Sequence, residues 1–96
     1  MLLHKFIRLT FDADKRIKTF AQRGLDFKDA AAIFSDSHIS VLDTREDYAE
    51  PRYITIGYLA SRMVVVVWTP RKGSRRIISM RKANAREQKI YAPRLA

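Results

Sequence analysis

The chain has no cysteine, three glycines, three prolines, two histidines and one tryptophan in 96 residues. Without cysteine there is no disulfide and no thiolate metal site. His4 and His38 are isolated from each other and form no ligand cluster, so no metal is expected. Long apolar runs are missing too. The longest, Met63 to Trp68, is six residues, where a membrane helix needs about 20. The opening MLLHKFIRLTF is too short and too charged for a secretory leader. A cytoplasmic location follows by elimination. No GxxxxGK, GxGxxG, HExxH or GxSxG pattern occurs, which leaves nucleotide-dependent enzymes and common hydrolases without support, and no cofactor is expected. Acid is scarce in one place above all. Residues 71–96 hold nine Lys/Arg and one acid, Glu87, whereas the seventy before them hold ten Lys/Arg and nine acids. The formal charge of +9 is therefore +8 from the tail and +1 from the rest. That asymmetry predicts a face built for a polyanion, and nucleic acid is the commonest one.

What is present predicts one folded α+β domain over residues 1–96. Apolar residues make up 47%, and a chain this short buries roughly 60–65% of its unfolded surface. His4 to Phe11 alternates loosely and predicts a strand. Asp12 or Asp14 predicts an N-cap for a helix to Arg23, closed by a left-handed Gly24. Asp26 predicts a second helix with the stripe Phe27, Ala30, Ala31 and Phe34. From His38 the period becomes two. Strands are expected over 38–42, 52–59, 62–69 and 75–81, with an acidic loop at 43–51 and a hairpin loop at 70–74 needing a positive φ at Gly73. The VVVVW run has no polar face and predicts a central strand buried on both sides. Ala83 to Tyr91 predicts a closing helix, with the residues from Pro93 frayed. Short connections favour antiparallel neighbours, with the helices on one face of the sheet.

Candidate functional residues concentrate in the last strand and helix. Simple alternation puts Arg75, Ile77, Ser79 and Arg81 on one face and Arg76, Ile78, Met80 and Lys82 on the other. Arg76 and Arg81 then share a face only if a bulge intervenes. Arg81 and Lys82 adjoin the basic helix with Arg86 and Lys89, and Arg52 lies one strand away. A guanidinium presents a planar fork matched to phosphate oxygens. Solvated edge charges explain Arg62, Arg75 and Arg76 equally well. Glu87 is open to two readings. It is a proton acceptor, or it closes a capping box with Asn84, and surrounding cations make it a weak base. Tyr91, a turn later, stacks a base or covers the sheet. Phe11, Tyr53 and Tyr58 are stacking platforms or packing. Lys15 and Arg23 share a helix face with Thr19, and a solvated face accounts for them without function.

Three stretches together resemble the BrnT family, the ribonuclease toxins of bacterial type II toxin–antitoxin pairs. They are FDADK with RGLDFKDAAAIF (Phe11 to Phe34), EPRYITIG (Glu50 to Gly57) and RRIISMRKANAREQKIY (Arg75 to Tyr91). The last is the most specific. The matches fall on Asp12, Lys15, Arg52, Arg76, Arg81, Glu87 and Tyr91. The resemblance implies a RelE-like fold: an N-terminal strand and two helices packed on an antiparallel sheet, then a short helix. It implies mRNA cleavage. Read with the residues themselves, this predicts a metal-independent reaction with Arg52, Arg76, Arg81 and Glu87 as the catalytic candidates and Lys15, Arg23, Arg75, Lys82, Arg86 and Tyr91 as RNA-binding candidates. It implies a cognate BrnA-like antitoxin with a ribbon-helix-helix part, through which alone the pair reaches promoter DNA. Two departures stand out. Gln22-Arg23-Gly24 replaces a common Lys-His-Gly, and Thr19 replaces a common Asn. Arginine cannot act as a neutral imidazole base. Two other readings fit the composition: a basic RNA- or ribosome-binding module without catalysis, and a degenerate toxin that only holds its antitoxin.

Overall fold

The structure is a computed structural model and describes residues 7–95. The elements run β1 (Arg8–Phe11), α1 (Ala13–Arg23), a 3₁₀ turn (Phe27–Asp29), α2 (Ala30–Phe34), β2 (His38–Leu42), β3 (Tyr53–Leu59), β4 (Arg62–Arg71), β5 (Ser74–Lys82) and α3 (Ala85–Leu95). The five strands form one sheet in the order β1-β5-β4-β3-β2. The first part of the expected N-terminal strand, with His4, lies outside the described residues.

The local signals act where the residues predict them. Asp12 caps α1 by accepting the Lys15 backbone N–H at 3.0 Å, and Gly24 closes it at φ 68°. Asp26 caps the next segment through Lys28. Only a 3₁₀ turn and five helical residues follow, shorter than the single helix expected. β4 is central, and Val64, Val65 and Val66 are at most 1% exposed. Alternation splits them between two cores. Val64 and Val66 join Leu25, Phe27, Ala30, Ile33, Ile77 and Met80 beneath α1 and α2. Val65 joins Ile56, Met63, Ala83 and Leu95 beneath α3. The helices therefore cover both faces of the sheet, which corrects the expectation of one face. The closing helix continues through Pro93 to Leu95, because Leu95 is 5% exposed and anchors its last turn in the second core.

Two further features concern β5. Its outer neighbour β1 runs parallel to it, pairing Arg8 with Ser74 and Phe11 with Ile77. The pairing with β4 is interrupted between Val67 and Trp68: Val67 faces Ser79 but Trp68 faces Ile77. Ile78 is the extra residue of a β-bulge, which moves every later side chain of β5 to the opposite face from that of simple alternation.

Gly57 shows how closely α2 sits on the sheet. A Cβ at this position would lie 2.7 Å from Ile33 Cγ2. Only glycine lets Ile33 descend onto β3 there.

Candidate active site

The bulge decides which side chains meet. Directly paired residues share a sheet face. Val65 pairs with Arg81, Val67 with Ser79 and Thr69 with Arg76. Arg76 and Arg81 thus lie on the α3 face together, about 13 Å apart along the strand. Arg75 and Lys82 pair with Pro70 and Val64 and turn to the other face. β3 delivers Arg52 to the α3 face as well. Tyr53 pairs with Trp68 on the opposite face, so the preceding residue alternates back. The Asp43 N–H donates to the Arg52 carbonyl at 2.8 Å, extending the β2–β3 ladder by one step. Thr69 Oγ1 donates to the Pro51 carbonyl at 2.7 Å and fixes the row of Arg52, Thr69 and Arg76. Arg52 and Arg76 are separated by one strand, roughly 10 Å.

Arg81 is held by a two-pronged ion pair. Its Nη1 and Nη2 donate to Glu87 Oε1 and Oε2, both at 2.7 Å. Glu87 also accepts the Asn84 backbone N–H at 2.9 Å, and Asn84 Oδ1 accepts the Glu87 N–H at 2.8 Å. This is the reciprocal capping box at the start of α3. The Arg81 fork, aided by the Asn84 N–H and opposed by burial, holds the Glu87 carboxyl at about 2. Such a carboxylate is a poor proton acceptor at neutral pH. Its geometry aims Arg81.

The loop from Asp43 to Arg52 contributes a second cluster that its acid-rich composition concealed. Asp43 is 5% exposed. It accepts from the Arg45 backbone N–H at 3.1 Å, from Arg45 Nε at 2.8 Å and Nη2 at 2.7 Å, and from the Tyr48 hydroxyl at 3.2 Å. Arg52 lies 4.2 Å from the Tyr48 ring centre. Arg52, Tyr48, Asp43 and Arg45 are therefore one contiguous group. Arg45 is also the cation whose field opposes the positive charge on Arg81. The spacing Asp43-x-Arg45, an Asx-turn pattern, was the available sequence signal for this group. Among the described residues, neither Arg52 nor Arg76 has a carboxylate within ion-pairing distance.

The remaining candidates scatter. Arg23 Nη1 donates to the Met80 carbonyl at 2.7 Å, on the part of β5 that extends beyond its pairing with β1. It pins α1 to the strand immediately before Arg81. Arg75 lies 4.1 Å from the Phe34 ring centre and 5.3 Å from that of Trp68, and its buried Nε–H has no acceptor among the described residues. Burial pulls its pKa down. Lys15 and Arg86 are exposed on α1 and α3. Tyr91 packs on the second core. Lys82 lines a cavity of about 490 Å³ with Tyr58, Arg62, Met63 and Gln88, at the β3–β4 hairpin end. Phe11 packs edge-on to Phe27, and Tyr53 stacks on Trp68 at 5.1 Å, so both are packing residues. Among the described residues no group of three or more potential ligands is placed to hold a metal ion, and no helix is long and apolar enough to cross a membrane.

The sequence profile described as "Ribonuclease toxin, BrnT, of type II toxin-antitoxin system" matches residues 11–87. The chain belongs to the BrnT family. No curated protein matched the chain in a sequence search. The BrnT match takes in Arg52, Arg76, Arg81 and Glu87 with the Asp43–Arg45 loop, and ends before Tyr91. Membership in a type II toxin family brings with it an antitoxin partner.

Proposed function

We propose that this chain is a cytoplasmic endoribonuclease that cuts mRNA on the α3 face, using the substrate's own 2′-hydroxyl as nucleophile. The O2′–P bond forms and the P–O5′ bond breaks. Water takes the 2′ proton and returns one to the departing 5′ oxygen. The products are a 2′,3′-cyclic phosphate and a 5′-hydroxyl. The nucleophile belongs to the RNA, so the chain's task is to hold the phosphodiester and to stabilise the extra negative charge of the phosphorane. Arg81 carries that charge. Glu87 keeps its fork aimed, so that no rotamer entropy is lost when the phosphate arrives. Arg76 and Arg52, without carboxylate partners, take neighbouring phosphates. Arg86 extends the basic surface, whereas Lys15 on α1 and Lys82 belong to the other side of the sheet. Arg23 and Arg75 serve the fold. The antitoxin, of the BrnA-like ribbon-helix-helix kind, covers the same face and alone carries the pair to promoter DNA.

The observation supporting this reading is the bulge at Ile78, which brings Arg76 onto the face of Arg81. The test is cleavage of a defined RNA by purified protein in EDTA, with analysis of the ends. Cyclic phosphate ends are expected, and Arg81→Ala should slow cleavage by about 10²–10³-fold while circular dichroism stays unchanged. An unaltered rate for Arg81→Ala, or 3′-hydroxyl ends, overturns the mechanism. RNA bound and left intact by the wild type would favour the non-catalytic binding module.

A further inference from the structure

Arg75 is a charge without a counter-charge. Its guanidinium lies 4.1 Å from the Phe34 ring centre and 5.3 Å from that of Trp68. Its Nε is enclosed, whereas Nη1 and Nη2 are not. No carboxylate among the described residues lies within ion-pairing distance of it. Glu50 is already taken by Arg71, whose Nη2 donates to it at 2.8 Å. Taking a cation partly out of water is costly unless an anion meets it. A fork held in place by rings, with its outer edge open, is half of an ion pair.

The ground around this fork is apolar and rigid. Trp68 meets Phe34 edge-on at 5.4 Å and stacks on Tyr53 at 5.1 Å. Its indole N–H donates to Thr55 Oγ1 at 2.7 Å, which in turn meets Ser40 Oγ at 2.7 Å. Leu42 pairs with Tyr53, so it shares that face, and it is 52% exposed. Trp68 and Arg75 also wall a groove of about 210 Å³ with Ile7, Pro70 and Ser74. Ile7 is 44% exposed. Four cations and no acid lie between Arg71 and Arg76, and Arg8 stands opposite Ser74. Trp, Tyr and Arg are the residue types that dominate protein interfaces. Rings already fixed in place lose little freedom when a partner covers them.

We propose that this ledge, running from Leu42 through Tyr53 and Trp68 to Arg75, is a docking surface for the antitoxin, which seats an aliphatic side chain in the groove and a carboxylate on the Arg75 fork. Charge selects the occupant. A second copy of this chain would bring its own net +9 to a cationic rim, whereas an acidic segment neutralises that rim. RNA offers anions but no aliphatic group for the groove, and Arg76 and Arg81 lie on the opposite face. The inference rests on the family's antitoxin partnership and is independent of RNA cleavage. It adds a second contact to the cover of the α3 face proposed above.

The test measures affinity for the purified cognate antitoxin by calorimetry. Arg75→Gln also loses ring contacts and can fail to fold, so it is paired with Ile7→Glu, which places an acid in the groove at an exposed position. Both variants should keep the wild-type circular dichroism spectrum. Arg75→Gln should weaken the complex by at least about 30-fold, and Ile7→Glu by at least about tenfold. Arg75→Lys should not restore the affinity, because a point charge cannot reproduce the fork. Affinity for an uncleavable 2′-O-methyl RNA should change by less than about threefold. In parallel, the Trp68 indole and Arg75 Nε–Hε resonances are followed by NMR as antitoxin is added, and both should shift. Wild-type antitoxin affinity in folded Ile7→Glu overturns the proposal. RNA affinity that falls as far as antitoxin affinity would assign Arg75 to RNA and overturn it too. So would a free protein that sediments as a dimer and becomes monomeric in the variants with antitoxin affinity unchanged, because the ledge would then belong to a second copy. A wild type that binds antitoxin through this ledge and cuts no RNA would keep the docking surface and reject the nuclease.

Discussion

The same strands build two faces of opposite character. Beneath α1 and α2 the sheet presents Val64, Val66, Ile77 and Met80, with Trp68 and Phe34 at the margin. Arg75, a cation on that side, is held against aromatic rings. Beneath α3 the apolar core covers only part of the sheet. The rest displays Arg52, Arg76 and Arg81 with the Asp43–Arg45 fork. The first face is closed and carries much of the stability; the second is half open and carries the candidate site. What separates them is one extra residue in β5. Without the displacement at Ile78, Arg76 would lie on the face opposite Arg81.

Substitutions should break this contrast in a graded way. Phe27 is fully buried in the first core, and Phe27→Ala should lower stability by about 3–5 kcal/mol in urea unfolding. Gly57→Ala pushes a methyl group against Ile33 and should cost about 1–3 kcal/mol by the same measurement. Asn84→Ala removes the side-chain half of the α3 capping box and should cost about 1 kcal/mol. Arg76→Ala, on the open face, should change stability by no more than about 0.5 kcal/mol. It should nonetheless weaken RNA binding and flatten its salt dependence by about one unit of slope. Equal stability losses for Phe27→Ala and Arg76→Ala would erase the distinction between the faces.

Acid sharpens the same comparison. Glu87 and Asp26 are each held at about 2, by Arg81 and Arg16 respectively. Both folded values lie below the ordinary carboxylate range. Their contribution is therefore complete above that range, near pH 5, and is lost as pH falls towards 2. Glu87→Gln should reduce the stability lost over that interval, measured by thermal unfolding against pH. A wild-type acid dependence in this variant would mean that the Arg81 fork adds nothing to folding.

The sequence exposed whatever is encoded within a few neighbouring residues. The Asp12 cap, the left-handed Gly24, the valine run and the Asn84–Glu87 box are each written in three to six positions, and each governs its own segment. Three features depend on partners far along the chain and were not legible. The bulge at Ile78 exists only relative to β4, so alternation counted along β5 could name it as the condition for Arg76 and Arg81 to share a face but could not place it. The parallel seating of β1 depends on which edge remains open once β5 is in place. Arg45 sat in a stretch whose composition reads as acidic loop, because its importance comes from the burial of Asp43. Arg23 stands where the family commonly has histidine and was an RNA-binding candidate, and in the structure it donates to a backbone carbonyl far along the chain.

The partnership of β1 with β5 has a consequence for synthesis. The first described strand finds its mate only after residue 74 has been made, and the arginine fork waits for Glu87 beyond it. Chain closure over so long a span is slow relative to local structure. A ribosome making this polypeptide therefore cannot complete the sheet edge or orient Arg81 until the segment from residue 74 to Glu87 has left it.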